Sequence, residues 1–314
     1  MIIFTLGDSA SLSKLYSAMI SPSILFLGSI ALDTIETIYG RRENLLGGSA
    51  TYAAISASQF SRPDLVGIVG SDFPLEGHKV LKDTCRSLSD LVIKDGPTFR
   101  WGGKYQENGD DRETLFTDLG VFTDFKPILS PENKNPDIVF LANIHPLLQL
   151  SVLHQCKNKP IVVTDTMNLW IDTAKDCLLD VLAKTDILLI NESELMDLAS
   201  NNNIEDGIKE IHSYGPATVI VKYGSKGSTC YSKSKENFSI GVIPVEKVID
   251  PTGAGDSFGG GLVSALSQGL SLREAMVRGT VLASFCIQDF GINAILNAKK
   301  EDIETRISFL SSKE

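Results

Sequence analysis

Residues 250–261 read Asp-Pro-Thr-Gly-Ala-Gly-Asp-Ser-Phe-Gly-Gly-Gly, five glycines and two aspartates in twelve positions. Glycine lets backbone N–H groups approach an anion closely, and a helix beginning here adds its positive end at the same point. A carboxylate inside such a loop repels a resting phosphate. Beside a phosphoryl group in transfer it has a use: it accepts the proton of the attacking hydroxyl while the amides hold negative charge on the equatorial oxygens. On that arrangement Asp256 is the general base, which contributes ~10²–10⁴ in rate. The amides of Gly253, Ala254, Gly255 and Asp256 form the anion hole, with Thr252 leading in.

Other uses of the loop fit less well. A dinucleotide fingerprint needs a third glycine where Phe258 stands, and it opens a first βα unit rather than lying near the end of a chain. The phosphate-loop pattern GxxxxGK[ST] is absent from the sequence. A turn that only packs a helix tightly remains the bland alternative. The four histidines show no HxxxH or HExxH spacing, which argues against a protein-built zinc site. The five cysteines are widely spread with no CxxC and read as thiols of a reducing, cytoplasmic compartment.

Around this loop the sequence supplies the elements of an α/β protein. "SILFLGSIALD" (23–33), "DLVGIVG" (64–70), "DIVFLAN" (137–143), "PIVVTD" (160–165), "DILLIN" (186–191) and "ATVIVKYG" (217–224) are apolar runs of strand length. Helix-length segments alternate with them at 47–60, 146–156, 170–184 and 192–213. That alternation predicts a doubly wound, mostly parallel sheet flanked by helices. After residue 250 the pattern is helical, at 256–268, 271–289 and 300–311, with a Ser271 cap and Glu274 three residues later.

One stretch interrupts the alternation. Residues 98–122 hold two aromatic segments around "ENGDD", a hairpin signal, and with 34–42 they predict a small β-sheet that serves as a lid. An antiparallel edge of the main sheet is the alternative. The domain reading is thus a peripheral extension at 1–22, whose beginning fits a secretory signal poorly, and one domain at 23–314 carrying the lid. Exposed edges of that lid predict a homodimer. A net charge of −10 and the absence of an apolar run near ~18 residues argue against nucleic-acid and membrane partners.

"DPTGAGD" resembles the C-terminal signature of the ribokinase-like, phosphofructokinase-B type carbohydrate kinases, and further landmarks of that family recur in order over roughly residues 23–292. The resemblance implies an ATP-dependent kinase acting on a hydroxymethyl group. By it, Asp33 of "GSIALD" binds acceptor hydroxyls, and Gly47 and Gly48 of "GGSATYAA" let backbone approach the acceptor. Tyr52 stands where many members carry Asn and is assigned to the acceptor too, as are Asp165 and Asn168 of "DTMNLW". Asn191 and Glu194 of "NESE" resemble the family's Asn-x-x-Glu motif. Asn191 is thereby placed on ATP and Glu194 on Mg²⁺ through water, although an NxxE at a helix start also reads as a cap. Lys222, Gly224 and Gly227 of "KYGSKG", with Thr252, lie along ATP.

Many relatives bind a monovalent cation through carbonyls at the position of "ASFCIQDFG" (283–291) and the segment beginning at Asp250, which leaves a K⁺ requirement open. The acceptor is a free sugar first and a nucleoside such as adenosine second. Tyr52, Trp101, Tyr105, Phe116 and Trp170 are available to stack a base, whereas Arg41, Arg42, Arg100 and Lys104 would suit a phosphosugar. A non-catalytic nucleotide- or sugar-binding regulator is the further alternative, which the retained Asp256 disfavours.

Overall fold

The computed structural model describes residues 22–106 and 112–313. Expectations about the extension at 1–21 and the hairpin tip at 107–111 lie outside the described residues.

Thirteen strands are described: β1 Ile24–Leu27, β2 Ala31–Thr37, β3 Gly40–Gly47, β4 Asp64–Gly70, β5 Ser87–Lys94, β6 Arg100–Tyr105 and β7 Arg112–Asp118, then β8 Ile138–Leu141, β9 Ile161–Asp165, β10 Ile187–Asn191, β11 Thr218–Lys222, β12 Ser228–Ser232 and β13 Phe238–Ile240. The helices are α1 Ser49–Ser58, α2 Leu75–Thr84, α3 Pro146–Gln155, α4 Asn168–Thr173, α5 Lys175–Leu182 and α6 Glu192–Ala199. They continue as α7 Ile204–Tyr214, α8 Ala254–Ser267, α9 Leu272–Cys286, α10 Asn293–Leu296 and α11 Lys300–Ser311.

The main sheet has nine strands in the order β13-β12-β11-β10-β9-β8-β1-β4-β5. It is parallel from β5 to β11, and β12 and β13 close one edge antiparallel. Side chains alternate across it as pleating requires. Ile24, Phe26, Phe140, Leu189 and Ile220 face one core with α1, α8 and α9. Leu25, Leu27, Val139 and Leu141 face the other with α3, and Leu188, Ile190, Val219 and Val221 join α5, α6 and α7 there. Strands covered on both sides are why the sequence shows apolar runs rather than clean alternation.

The interruption of that pattern is a separate four-stranded sheet, in the order β3-β2-β6-β7. It is wider than the expected 34–42: its first hairpin runs from Ala31 to Gly47, so Asp33 and Gly47 belong to it. β6 and β7 form the expected hairpin, and β6 lies parallel to β2. Ile35, Tyr105 and Phe290 form a small core beneath it, with Trp101 and Leu45 packed alongside.

Two expected helices are broken. The 170–184 segment divides at Ala174, whose φ of −142° leaves the helical region. The 192–213 segment divides at Ser200, with φ 51°, after which Asn203 caps α7 by accepting from the Asp206 N–H. The polar run Ser200–Asn203 competes with the helix for its own backbone groups. Ser271 and Glu274 form the expected capping box on α9.

Candidate active site

The C-terminal ends of parallel strands lie beside the N-terminus of α8, at the end of the sheet where open α/β folds bind ligands. Asp165 ends β9, Asn191 ends β10, and Lys222 ends β11 directly beside Asn191 in the register.

The glycine loop is shaped from below. Gly253 caps α8 with φ 77° and ψ 4°, a left-handed conformation that glycine adopts without penalty. A Cβ there would run into the ring of Tyr52. Asp250 staples the loop: its carboxylate accepts from the Thr252 N–H at 2.9 Å and from the Gly291 N–H at 3.0 Å. From above, the Thr252 hydroxyl donates to the Tyr105 hydroxyl of the small sheet at 3.1 Å. The Gly253 and Gly255 N–H groups have no partner among the described residues, whereas the Ala254 N–H donates to the Pro251 carbonyl at 3.2 Å. Ala254 is therefore a correction to the expected hole: its amide is already used in the turn.

Farther along, the three consecutive glycines pack helices. A Cβ on Gly260 would overlap the Ala53 carbonyl of α1. The packing reading of the glycines thus describes 259–261, whereas at 253–255 close packing on Tyr52 coexists with the unpartnered Gly253 and Gly255 N–H groups.

Asp256 stands in the first turn of α8. Burial pushes its carboxyl up to about 7, Asp165 adds to the rise, and Lys222 and Arg112 oppose it. Asp33 is buried with its carboxylate laid on the Cα of Gly47, where any side chain would overlap it, and it accepts the Gly48 N–H. Burial first, then Asp250, raises it to about 8. The structure thus brings Asp33, Gly47, Gly48, Asp250, Thr252, Gly253, Gly255 and Asp256 together.

Lys222 pairs with Asp165 at 3.1 and 3.3 Å to the two carboxylate oxygens. A Cβ on Gly255 would lie 3.2 Å from the Lys222 ammonium, which places that charge against the loop. Asn191 and Glu194 form a full capping box on α6, at 2.9 and 3.0 Å. Glu194 is nevertheless buried, pushed up to about 7 by desolvation with Asp165 adding to it and Lys222 opposing. The motif caps a helix and presents a carboxylate to the site at once. Gly224 and Gly227, both at positive φ, shape the tight turn between β11 and β12.

Two expected acceptor contacts are corrected. Tyr52 is 1% exposed in the main core, with its ring under Gly253, so it is the floor of the loop rather than a stacking surface. Its backbone lies in α1, whose small residues pack against α8, and that places the ring inward. Asn168 donates to Asp197 of α6 at 2.8 Å instead of joining Asp165, because the turn into α4 carries it to the neighbouring helix.

The lid cations are also committed locally. Arg41 pairs with Glu36 and Glu43, Lys104 with Glu36, and Arg100 with Asp72, while Arg42 lies over Phe290. Sequence reasoning missed Arg112, at the start of β7. Its guanidinium lies 5.2 Å over Trp101, bonds Tyr105, and its charge bears on Asp256 and Glu194. Its place just after the hairpin tip was the available signal.

Residues 40–299 match the pfkB family carbohydrate kinase domain. The chain belongs to this family. It is therefore an ATP-dependent sugar or nucleoside kinase. It is 28% identical over 272 residues to the cytidine kinase of Thermococcus kodakarensis, covering 85% of this chain and 97% of that protein. It is 29% identical to the nucleoside kinase of Methanocaldococcus jannaschii over 78% of this chain and 80% of that one. Among solved structures, the M. jannaschii nucleoside kinase superposes with a TM-score of 0.75 at 24% identity, over 92% of this chain and 98% of that one. Arabidopsis thaliana ribokinase complexed with ribose and ATP gives a TM-score of 0.75 at 22% identity, over 92% of this chain and all of the other. These likenesses carry the ribokinase-like fold, with its large sheet and separate small one.

Proposed function

We propose that this kinase phosphorylates the hydroxymethyl group of a nucleoside, with Asp256 as general base. The Asp256 carboxyl takes the proton of the acceptor hydroxyl, the freed oxygen bonds to the γ-phosphorus, and the β–γ bridging bond breaks to release ADP. The carrying observation is Asp256 itself: a carboxyl held near pH 7, in the first turn of a helix whose Gly253 and Gly255 amides are unused. A group of that pKa is ionised often enough to accept a proton and basic enough to hold it. The amides and the positive end of α8 stabilise charge on the transferring group. Asp33, on its glycine cradle, orients the acceptor.

The nucleoside now precedes the free sugar because the two near-full-length relatives above are named cytidine and nucleoside kinases. Against a phosphosugar, the lid cations are already paired. Mg²⁺ fits the site: Glu194 and Asp165 are buried carboxylates that share the one Lys222 ammonium, and they would hold its waters. When bound with ATP it neutralises the β- and γ-phosphate oxygens. A monovalent cation belongs where Asp250 ties the loop to Gly291, and exchanging K⁺ for choline tests it. The small sheet is a lid that excludes water from the transfer. Five free cysteines suit a reducing cytoplasm, and among the described residues no helix is long and apolar enough to cross a membrane.

The test is ATP turnover with a panel of nucleosides and sugars, with Asp256→Asn as control. Turnover confined to free sugars rejects the nucleoside, and a fully active Asp256→Asn rejects the base.

A further inference from the structure

Three carboxylates, Asp165, Glu194 and Asp256, bear on the Lys222 charge. Asp165 holds it directly, through both of its carboxylate oxygens. The hold is loose. At 3.1 and 3.3 Å, both contacts exceed the roughly 2.7–2.9 Å of a good charge-assisted bond. One nitrogen also has three donors, and its two contacts go to a single carboxylate.

What lies on the other side of the ammonium is the anion loop. A Cβ on Gly255 would press on the ammonium at 3.2 Å, and the Gly255 N–H is one of the two unused amides. An oxygen bonded to that amide comes within reach of Lys222. Two hydroxyls at the same strand ends, Thr166 Oγ1 and Ser228 Oγ, are buried without partners among the described residues, and Ser228 stands opposite Lys222 in the register. Polar groups have been gathered here beyond what the protein itself satisfies.

We propose that the Lys222–Asp165 pair is a resting latch: when ATP binds, the ammonium leaves Asp165 for the γ-phosphoryl oxygens at the Gly255 amide. Lys222 follows the charge as the phosphoryl group moves to the acceptor. Asp165 parks the lysine between turnovers, and its freed carboxylate would then be available to hold waters of the metal that accompanies ATP. Gly255 is glycine because the lysine needs that path. This latch rests on the placement of the γ-phosphoryl group at α8 given above.

The experiment is calorimetric binding of the non-hydrolysable ATP analogue AMP-PNP and of ADP, both with saturating Mg²⁺, to the full chain. Wild type binds both. Lys222→Met loses AMP-PNP affinity roughly 10- to 100-fold, the worth of one charge-assisted bond, while ADP affinity moves less than about threefold. Lys222→Arg recovers most of the loss, and kcat falls in step with the γ-dependent affinity. Because Lys222→Met leaves Asp165 buried without its partner, Lys222→Gln, which keeps a donor for Asp165, serves if the first variant fails to fold. An unchanged AMP-PNP to ADP ratio in both variants overturns the latch and leaves Lys222 a structural ion pair. Failure of wild type itself to bind AMP-PNP instead sinks the γ-phosphoryl placement on which the latch depends.

Discussion

Asp256 and Asp33 show how one physical cause serves two ends. Desolvation dominates both, holding them near 7 and 8, yet only Asp256 stands at the unused amides. A base must be ionised to act, so kcat/KM rises with pH through an apparent pKa near 7. Asp256→Asn lowers kcat/KM by ~10²–10⁴ and abolishes that limb, as a pH–rate profile reads directly. Stability moves the other way. A carboxyl with a raised folded pKa keeps its proton longer folded than unfolded, so its contribution is complete below about pH 4 and is lost as pH rises through 7. The ligand-free Asp256→Asn protein is therefore expected to melt above wild type at pH 8.5, with the advantage gone at pH 5. A variant that loses both activity and melting temperature at pH 8.5 would mean that the acid is structural.

At the scale of elements, the loop 250–256 is clamped between a helix and a sheet. Tyr52 of α1 supports Gly253 from one side, and Tyr105 of β6 holds Thr252 from the other. Gly253→Ala places a Cβ into the Tyr52 ring at a positive φ, a strain of about 1–2 kcal/mol before the clash. It should lower kcat roughly 100-fold by displacing the amides. Tyr105→Phe is gentler. Losing one hydrogen bond of about 0.5–1.5 kcal/mol between lid and loop raises the acceptor KM roughly two- to tenfold. It also raises ADP formed per acceptor phosphorylated, since a looser lid admits water. The signature loop and the strand ends Asp165, Asn191 and Lys222 were legible because both rest on local patterns: glycine spacing, and apolar runs that stop at a polar residue. Tyr52, Asn168 and Arg112 were not. Which way Tyr52 points is decided by how closely α1 and α8 pack, and Arg112 reaches the site only through the folded lid hairpin. β5 escaped notice because its burial is thin, with only Asp90 buried in "SLSDLVIK".

Across the whole molecule, the lid sheet leaves β7 as an edge whose seven residues are all exposed, Leu115 and Phe116 among them. Ile38 and Tyr39 are also exposed, at the tip of the β2–β3 hairpin. Unpaired strand edges with apolar side chains associate unless blocked by proline, charge or a bulge. β7 carries charge at its ends, in Arg112, Glu113 and Asp118, and its register against β6 shifts at Leu115, between the Gly102–Phe116 and Gly103–Thr114 pairs, so the edge is partly blocked. We propose that a second copy of the same sheet nevertheless covers the exposed Leu115 and Phe116, since a two-fold axis would set each on its equivalent. Light scattering at micromolar protein should accordingly give twice the 34.0 kDa chain mass. Phe116→Asp should return it to the single-chain mass without lowering the melting temperature of the main sheet. The same variant reaches function through the lid. β6 pairs with β7 on one side and with β2, which carries Asp33, on the other. Releasing the edge therefore loosens Asp33, and with Asp33 in its proposed acceptor role the acceptor KM is expected to rise while ADP affinity stays constant. A monomeric wild type, or a Phe116→Asp protein that stays dimeric, rejects this edge as the interface.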